Sequence, residues 1–166
     1  LMKQIKPDLK KVGTVWCTSE TCSEACVRLA RKKCAELGIE LLEMSVETTT
    51  QIMEAAMSLT SRGVEALWVG GDNVVEAAID QMINAAAKAR IPLIINNTNS
   101  VYGNTLFGLG AKYTEVGYLA GQMAADVLEG KPTSEIGIRN MVPLHLLVNP
   151  DALNNIHDKG KLPEEL

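Results

Sequence analysis

The sequence has no surplus of basic residues, because its 16 Lys and Arg are outnumbered by 20 Asp and Glu, leaving a formal charge of -4. A nucleic-acid-binding protein needs a basic stripe or patch on its surface. The one local group of lysines (Lys3, Lys6, Lys10 and Lys11) is typical of a solvated helix face. We therefore expect no nucleic-acid partner.

Long apolar runs are also missing. No segment reaches the roughly 18 consecutive apolar residues that a membrane span requires, and no secretory signal is visible. Because Leu1 lies within an apparent helix, we expect this chain to be a piece of a longer protein. An upstream region would then carry any signal.

Common catalytic motifs are absent. There is no Gly-x-Ser-x-Gly elbow and no Gly-x4-Gly-Lys-Ser/Thr loop, and Gly108-Leu109-Gly110 lacks the third glycine of a dinucleotide-binding turn. Neither His145 nor His157 follows a strand of the predicted sheet in a way that suggests a general base. We expect a protein that is not an enzyme and that needs no cofactor.

The four cysteines do not have the spacing of a metal site. There is no Cys-x2-Cys pair, and both histidines are distant in sequence, so no metal is expected. Cys22, Cys26 and Cys34 share one face of a predicted helix with Leu29, which favours small core residues. A disulfide between Cys17 and Cys22 is the alternative.

Strand and helix patterns alternate regularly along the first two thirds of the chain. This order, with short connections, predicts a single α/β domain over 1–166 with a parallel sheet and helices on both faces, a three-layer αβα arrangement. The strands are nearly continuous apolar runs, as is typical of sheets buried on both faces. The predicted strands are Lys11–Trp16, Ile39–Val46, Ala66–Val69, Ile91–Ile95 and Thr105–Gly108; the predicted helices are Ser19–Leu37, Thr48–Ser61 and Val74–Ala89.

The last third begins with a predicted helix over Thr114–Leu128. Small residues on this helix would let a neighbouring element approach closely. The segment Gly130-Lys131-Pro132 ends it, a strand is predicted at Leu144–Val148, and a final short helix starts at Asn149-Pro150-Asp151. The small residues are Gly117, Ala120, Gly121, Ala124 and Ala125.

Three polar loops follow predicted parallel strands, where ligands of open α/β sheets bind. We call them the ligand rim. They offer hydroxyls, amides and two carboxylates, a suitable set for a small zwitterionic or polyhydroxyl ligand. The alternatives are that Ser19 and Asp72 only cap helices and that Asn96–Ser100 is only a turn. The candidate residues are Thr18, Ser19, Glu20 and Ser23, then Asp72 and Asn73, then Asn96, Asn97 and Thr98.

With these loops, the chain resembles the ABC-transporter substrate-binding proteins of the tryptophan/tyrosine-binding type, which have the type I periplasmic-binding fold. The likeness covers nearly all of this chain but only about the second half of the family. It is carried by the order and spacing of several segments: Pro7–Gly13, Ser19-Glu20 followed by Ser23, Trp68–Asn73, Gly117 to Gly130, Leu146–Asn149 and Leu162–Leu166.

The resemblance implies one lobe of a two-lobed protein that captures a small solute, such as an amino acid, for an ABC permease. It assigns Ser19, Glu20, Ser23, Asp72 and Asn73 to the ligand wall of this lobe. It also implies that the helix over 113–130 packs on the missing first lobe. A periplasmic or extracellular lipoprotein, anchored to the membrane, is expected.

Two alternatives remain open. A ligand-sensing domain of a repressor or sensor kinase has the same fold, and a flavodoxin-like α/β enzyme would have a similar element order. If the first lobe is absent, the late helix exposes an apolar face, and we expect the isolated chain to hide it, most simply in a homodimer.

Overall fold

One sheet of six strands organises residues 1–137 and 142–158, the part of the chain that the computed structural model describes. The predicted family tail at 162–166 lies outside these residues. The strands are β1 (Lys11–Cys17), β2 (Glu40–Val46), β3 (Ala66–Val69), β4 (Leu93–Ile95), β5 (Thr105–Ala111) and β6 (Leu144–Val148). The helices are α1 (Met2–Ile5), α2 (Thr21–Glu36), α3 (Ile52–Ser61), α4 (Asn73–Glu76), α5 (Ile79–Ala89) and α6 (Tyr113–Leu128).

The strand order is β2-β1-β3-β4-β5-β6. Strands β1 to β5 are parallel to their neighbours, and β6 returns antiparallel beside β5. The predicted parallel sheet is therefore confirmed, with one antiparallel edge strand added. All five parallel strands point their carboxyl ends to the same side of the sheet, which brings the loops that follow them together.

An apolar core lies on each face of the sheet, and successive residues of a strand point into opposite cores. In β4, Leu93 and Ile95 pack with α3 and α5 on one face, while Ile94 packs with Ile5 of α1 and Ala152 on the other. This alternation follows from the strand period of two residues. The predicted three-layer α/β architecture is confirmed.

Helix boundaries differ from the predictions in several places. The helix predicted over Thr48–Ser61 begins as a 3-10 turn over Thr49–Gln51, and α3 starts only at Ile52. The predicted helix Val74–Ala89 is broken at Ala78, whose backbone (φ -133, ψ 37) lies outside the helical region, so α4 and α5 are separate. The final short helix predicted to start at Asn149-Pro150-Asp151 is a 3-10 helix over Pro150–Asn154.

The prediction of core cysteines on α2 is wrong. Cys22 is exposed, Cys26 and Cys34 are only partly buried, and all four cysteines are free. Only Ser23 and Val27 of α2 are buried. The helix therefore contacts the sheet along a narrow stripe. Cys26 and Cys34 are partly buried at its border, and this burial raises the pKa of both thiols.

A charged cluster fixes α2 to the sheet. Arg31 donates two hydrogen bonds to the Glu43 carboxylate, both of 2.7 Å, and its guanidinium lies 5.7 Å from the centre of the Trp16 ring. Trp16 Nε1 donates to the same carboxylate at 3.1 Å. Bidentate geometry of this kind is stronger than a simple surface ion pair.

A second charged cluster links the residues that precede β1 to Glu65, the residue just before β3. Lys6 Nζ lies 2.8 Å from Glu65 and 2.7 Å from Asp158. The Glu65 carboxylate also accepts from the backbone amides of Lys10 and Lys11. Desolvation alone would raise the pKa of Glu65, but the hydrogen bonds from Lys6 and these two amides lower it.

Helix α6 has no buried residue. Tyr113, Tyr118 and Leu128 are 70%, 69% and 88% exposed, and Leu144 of β6 is 69% exposed. The described chain therefore presents a large apolar surface beside its antiparallel edge strand. Packing of α6 on a first lobe stays a prediction. Within the described ranges, no helix combines the length and apolarity needed to cross a membrane.

Candidate functional site

The three rim loops lie at the same end of the sheet, because β1, β3 and β4 are parallel neighbours that end at Cys17, Val69 and Ile95. Side-chain hydrogen bonds link the first two loops to each other and fix the third to α4. Their role in ligand contact stays a prediction.

Asp72 joins the first two loops. Its Oδ2 accepts from the backbone N–H of Cys17 at 2.6 Å, and its Oδ1 accepts from the N–H of Val75 at 2.9 Å, capping α4. The residue is only 3% exposed. The capping role considered from the sequence is thus present, together with a long-range contact that the sequence does not reveal. Both carboxylate oxygens are engaged by protein amides.

Glu20 and Asn73 form a second link between the same loops, closer to solvent. Asn73 Nδ2 donates to Glu20 Oε2 at 3.1 Å. Asn73 is exposed and Glu20 is partly exposed. Of the two acidic residues singled out from the sequence, Glu20 is therefore the one that solvent, or a ligand, can reach.

The remaining candidates of the first loop differ in exposure. Thr18 and Ser19 are exposed, whereas Ser23 is 2% exposed and faces the sheet. Thr18 Oγ1 donates to Glu47 at 2.9 Å, and Ser19 Oγ lies 3.1 Å from Cys17 Sγ. Ser19 does not cap α2, since Glu20 occupies that position without a side-chain cap.

The third loop forms a short 3-10 turn over Thr98–Ser100. Asn97 Oδ1 accepts from the N–H of Asn99 at 3.0 Å, and Asn97 Nδ2 donates to Glu76 of α4 at 2.9 Å. Asn96 is exposed, and its Oδ1 accepts from Trp68 Nε1 at 3.3 Å. The turn considered from the sequence is present, and it holds Asn96 at the edge of the rim.

Gly110 is a residue that the sequence reasoning missed as part of the site. A Cβ atom added at this position in β5 would overlap the backbone carbonyl of Asn96. The glycine therefore lets β5 approach the third loop. The available signal was the pair Gly108 and Gly110 at the end of the predicted fifth strand, because glycine in a strand can mark close backbone approach.

The rim side chains include carboxylates and many hydrogen-bond donors. The rim loops, residues 18–23, 70–73 and 96–100, contain Glu20 and Asp72 but no Lys, Arg or His. Glu76 of α4 lies beside them and accepts a hydrogen bond from Asn97. The N-terminus of α2 opens at the first loop, and its first N–H groups have no side-chain cap. In the part of the chain described, no three His, Cys, Asp or Glu side chains are grouped as a metal site would need.

Known proteins resemble this chain along its whole described length. The family model described as ABC transporter substrate binding protein matches residues 1–159. A tyrosine-binding protein of Clostridioides difficile (strain R20291) is 29% identical over 162 residues, which is 98% of this chain and 46% of that protein.

Solved structures share the fold. A conserved domain protein from Vibrio cholerae matches with a TM-score of 0.86 and 25% identity, over 99% of this chain and 54% of that one. An ABC domain from Streptococcus pneumonia, in complex with L-Trp, matches with a TM-score of 0.85 and 21% identity, over 99% and 55%. The chain spans about half the length of these relatives.

Proposed function

Because the chain belongs to the ABC transporter substrate-binding protein family, we propose that it supplies one ligand-binding lobe of an importer's substrate-binding protein. The observation that carries this proposal is the rim. Three loops from adjacent parallel strands meet at one end of the sheet and are held by Asp72, Asn73 and Asn97. In open α/β folds this end is where ligands bind.

The ligand we propose is an amino acid. The tyrosine-binding relative, 29% identical over 98% of this chain, supports this class and makes tyrosine the first candidate. The rim fits such a ligand because it carries carboxylates for an ammonium group and free helix N–H groups for a carboxylate.

We assign the ammonium group to Glu20 rather than to Asp72. Both oxygens of Asp72 already accept from backbone amides, and the residue is buried. Glu20 uses one oxygen to accept from Asn73, which leaves the second oxygen for a ligand donor. Asp72 would then act by holding the two loops in register, while Thr18, Ser19, Asn73 and Asn96 face the ligand.

The same proposal includes the partners of the whole protein. A first lobe would close over the rim and cover α6, whose residues are not buried in this lobe. Hinge closure between two lobes is a common way to enclose a ligand. An ABC permease would receive the ligand, at a periplasmic or extracellular location with a membrane anchor. No catalytic step is part of this role.

Replacing Glu20 by Gln in the two-lobed protein tests the assignment. We expect calorimetry with the twenty amino acids to find at least one that binds, and the Glu20→Gln protein to bind it roughly tenfold more weakly. The loss of one charge-assisted hydrogen bond, about 1.4 kcal/mol, accounts for this factor.

The matched control is Glu36→Gln, the same change on α2 at its far end, where Glu36 pairs with Lys33. Its ligand affinity should stay within about twofold, since a surface ion pair contributes little. Equal affinity of the Glu20→Gln protein and its parent would remove Glu20 from the site. Binding of no amino acid at all would contradict the proposed ligand class.

A further inference from the structure

Trp68 connects the second and third rim loops. It belongs to β3, is partly buried, and packs against the apolar core that contains Ile94 and Phe107. A Cβ atom added at Gly70 would overlap the six-membered ring of Trp68, so the second loop lies directly against the indole. Trp68 Nε1 donates to Asn96 Oδ1 of the third loop at 3.3 Å. One side chain therefore contacts both loops, the second through its ring and the third through its N–H group.

The hydrogen bond from Trp68 determines which way the Asn96 amide points. An indole N–H group can only donate, so the atom that faces it must be the amide oxygen. The NH2 group of Asn96, on the other branch of the amide, is then directed away from the indole. The backbone of Asn96 is also held in place, because its carbonyl group lies against Gly110 of β5. Asn96, an exposed residue, thus presents a donor in a fixed orientation.

The position of the third loop determines which part of a ligand Asn96 meets. Strand β3 lies between β1 and β4. Because neighbouring strands are about 4.8 Å apart, the first and third loops leave the sheet roughly 10 Å from each other. Glu20 and the N-terminus of α2, to which we assign the ammonium and carboxylate groups of the ligand, belong to the first loop. An amino acid held there would reach Asn96 with its side chain.

We infer that Trp68 is a positioning residue that orients Asn96 to donate, through Nδ2, to a neutral oxygen in the ligand's side chain. The oxygen is neutral because the rim loops contain no Lys, Arg or His to balance a second ligand carboxylate. A donor that is built to meet a ligand oxygen discriminates against an analogue without one, since the donor is then left unpaired. The inference rests on the proposed function and adds the side-chain chemistry of the ligand.

Selectivity between matched amino acids tests the role of Asn96. In calorimetry on the two-lobed protein, the tightest ligand should carry a side-chain hydroxyl or amide. It should bind at least about tenfold more tightly than its counterpart without that oxygen, such as phenylalanine for tyrosine or valine for threonine. Asn96→Ala should reduce this ratio to about threefold or less, chiefly by weakening the ligand that carries the oxygen. Because Asn96 is exposed, this variant leaves the core unchanged.

A double-mutant cycle tests whether Trp68 acts through Asn96. Trp68→Phe keeps an aromatic ring in the core but removes the N–H group that orients the amide. We expect this variant to bind the oxygen-bearing ligand about fivefold more weakly and its counterpart with nearly unchanged affinity. In the Asn96→Ala protein, the same change should cost less than about twofold. Equal weakening of both ligands, or an undiminished effect of Trp68→Phe without Asn96, would show that Trp68 has only a structural role.

The matched control is Asn154→Ala, the same substitution at an exposed residue beside the amino end of β5. The neighbouring Asn155 donates to Asn104, which precedes β5, so this position lies at the end of the sheet opposite the rim. Its affinities should stay within about twofold of the parent.

Failure of this inference is distinguishable from failure of the proposed function. A tightest ligand without a side-chain oxygen, or a selectivity that Asn96→Ala leaves intact, would overturn the inference while amino-acid binding stands. Binding of no amino acid would overturn both.

Discussion

Replacing Gly110 by Ala should destabilise the chain by about 3 kcal/mol, at the upper end of the usual effect of overpacking. The new Cβ atom would overlap the backbone carbonyl of Asn96. Because the clash is with backbone rather than with the end of a flexible side chain, β5 and the third rim loop must separate. The β4 and β5 pairing, which already shifts register between Leu93 and Ile94, would weaken with it.

Urea denaturation of the Gly110→Ala chain measures this effect, and Gly117→Ala is its matched control. Gly117 lies in α6, with no atom within 4 Å of an added Cβ. There the change should stabilise the chain slightly, by roughly 0.5–1 kcal/mol, since alanine favours helix. Equal unfolding midpoints for the two variants would show that the close approach of Asn96 is not a constraint.

Replacing Asp72 by Ala should lower the free energy of unfolding by about 2–4 kcal/mol. Loss of the cap on α4 contributes roughly 1 kcal/mol. The N–H of Cys17, which donates to Asp72 Oδ2, is left without that partner in a buried position, at a further 1–3 kcal/mol. Amino-acid binding by the two-lobed protein should fall as well, because Asp72 holds the first and second rim loops together.

Asp8→Ala is the control for this prediction, because Asp8 is an exposed residue ahead of β1. It should change stability by less than about 0.5 kcal/mol. The Asp72→Asn variant separates the effect of shape from that of charge. Because Asn keeps one acceptor oxygen, the free energy of unfolding of this variant should lie between those of the parent and of the Asp72→Ala chain. An Asp72→Ala chain as stable as the Asp8→Ala chain would show that the two amides find other acceptors and that Asp72 does not clamp the rim.

Much of the fold can be predicted from the sequence because its signals are local. The β-branched run at Lys11–Trp16 and the apolar run at Ala66–Val69 predict two interior strands, and Gly38 and Gly63 mark helix ends with φ of 65° and 78°. These signals depend on residues a few positions apart, which a single sequence displays.

The depth of burial could not be predicted in the same way. Cys22 and Leu29 are exposed on α2 although they belong to the predicted apolar face. Arg31 of the same helix binds Glu43 of β2. That contact joins a helix to a strand 12 residues further on. Helical periodicity gives the apolar face but not the partner that selects which part of it is covered.

The candidate site also has a part that the sequence predicts and a part that it does not. Rim positions can be predicted, since carboxyl ends of parallel strands share one edge. The pairing of Cys17 with Asp72 spans 55 residues and has no sequence signal. It is the basis for our proposal that Asp72 holds the rim loops together while Glu20, which is partly exposed, contacts the ligand.

Amide hydrogen exchange on the two-lobed protein, with and without the amino acid that binds most tightly in calorimetry, tests the central claim most directly. We predict slower exchange on ligand binding in residues 18–23, 70–73 and 96–100, which form the rim. Amides at the opposite end of the sheet, around Lys10, Glu65 and Arg90, should not change. Protection confined to that opposite end, with rim amides unaffected, would contradict the assignment of the ligand site.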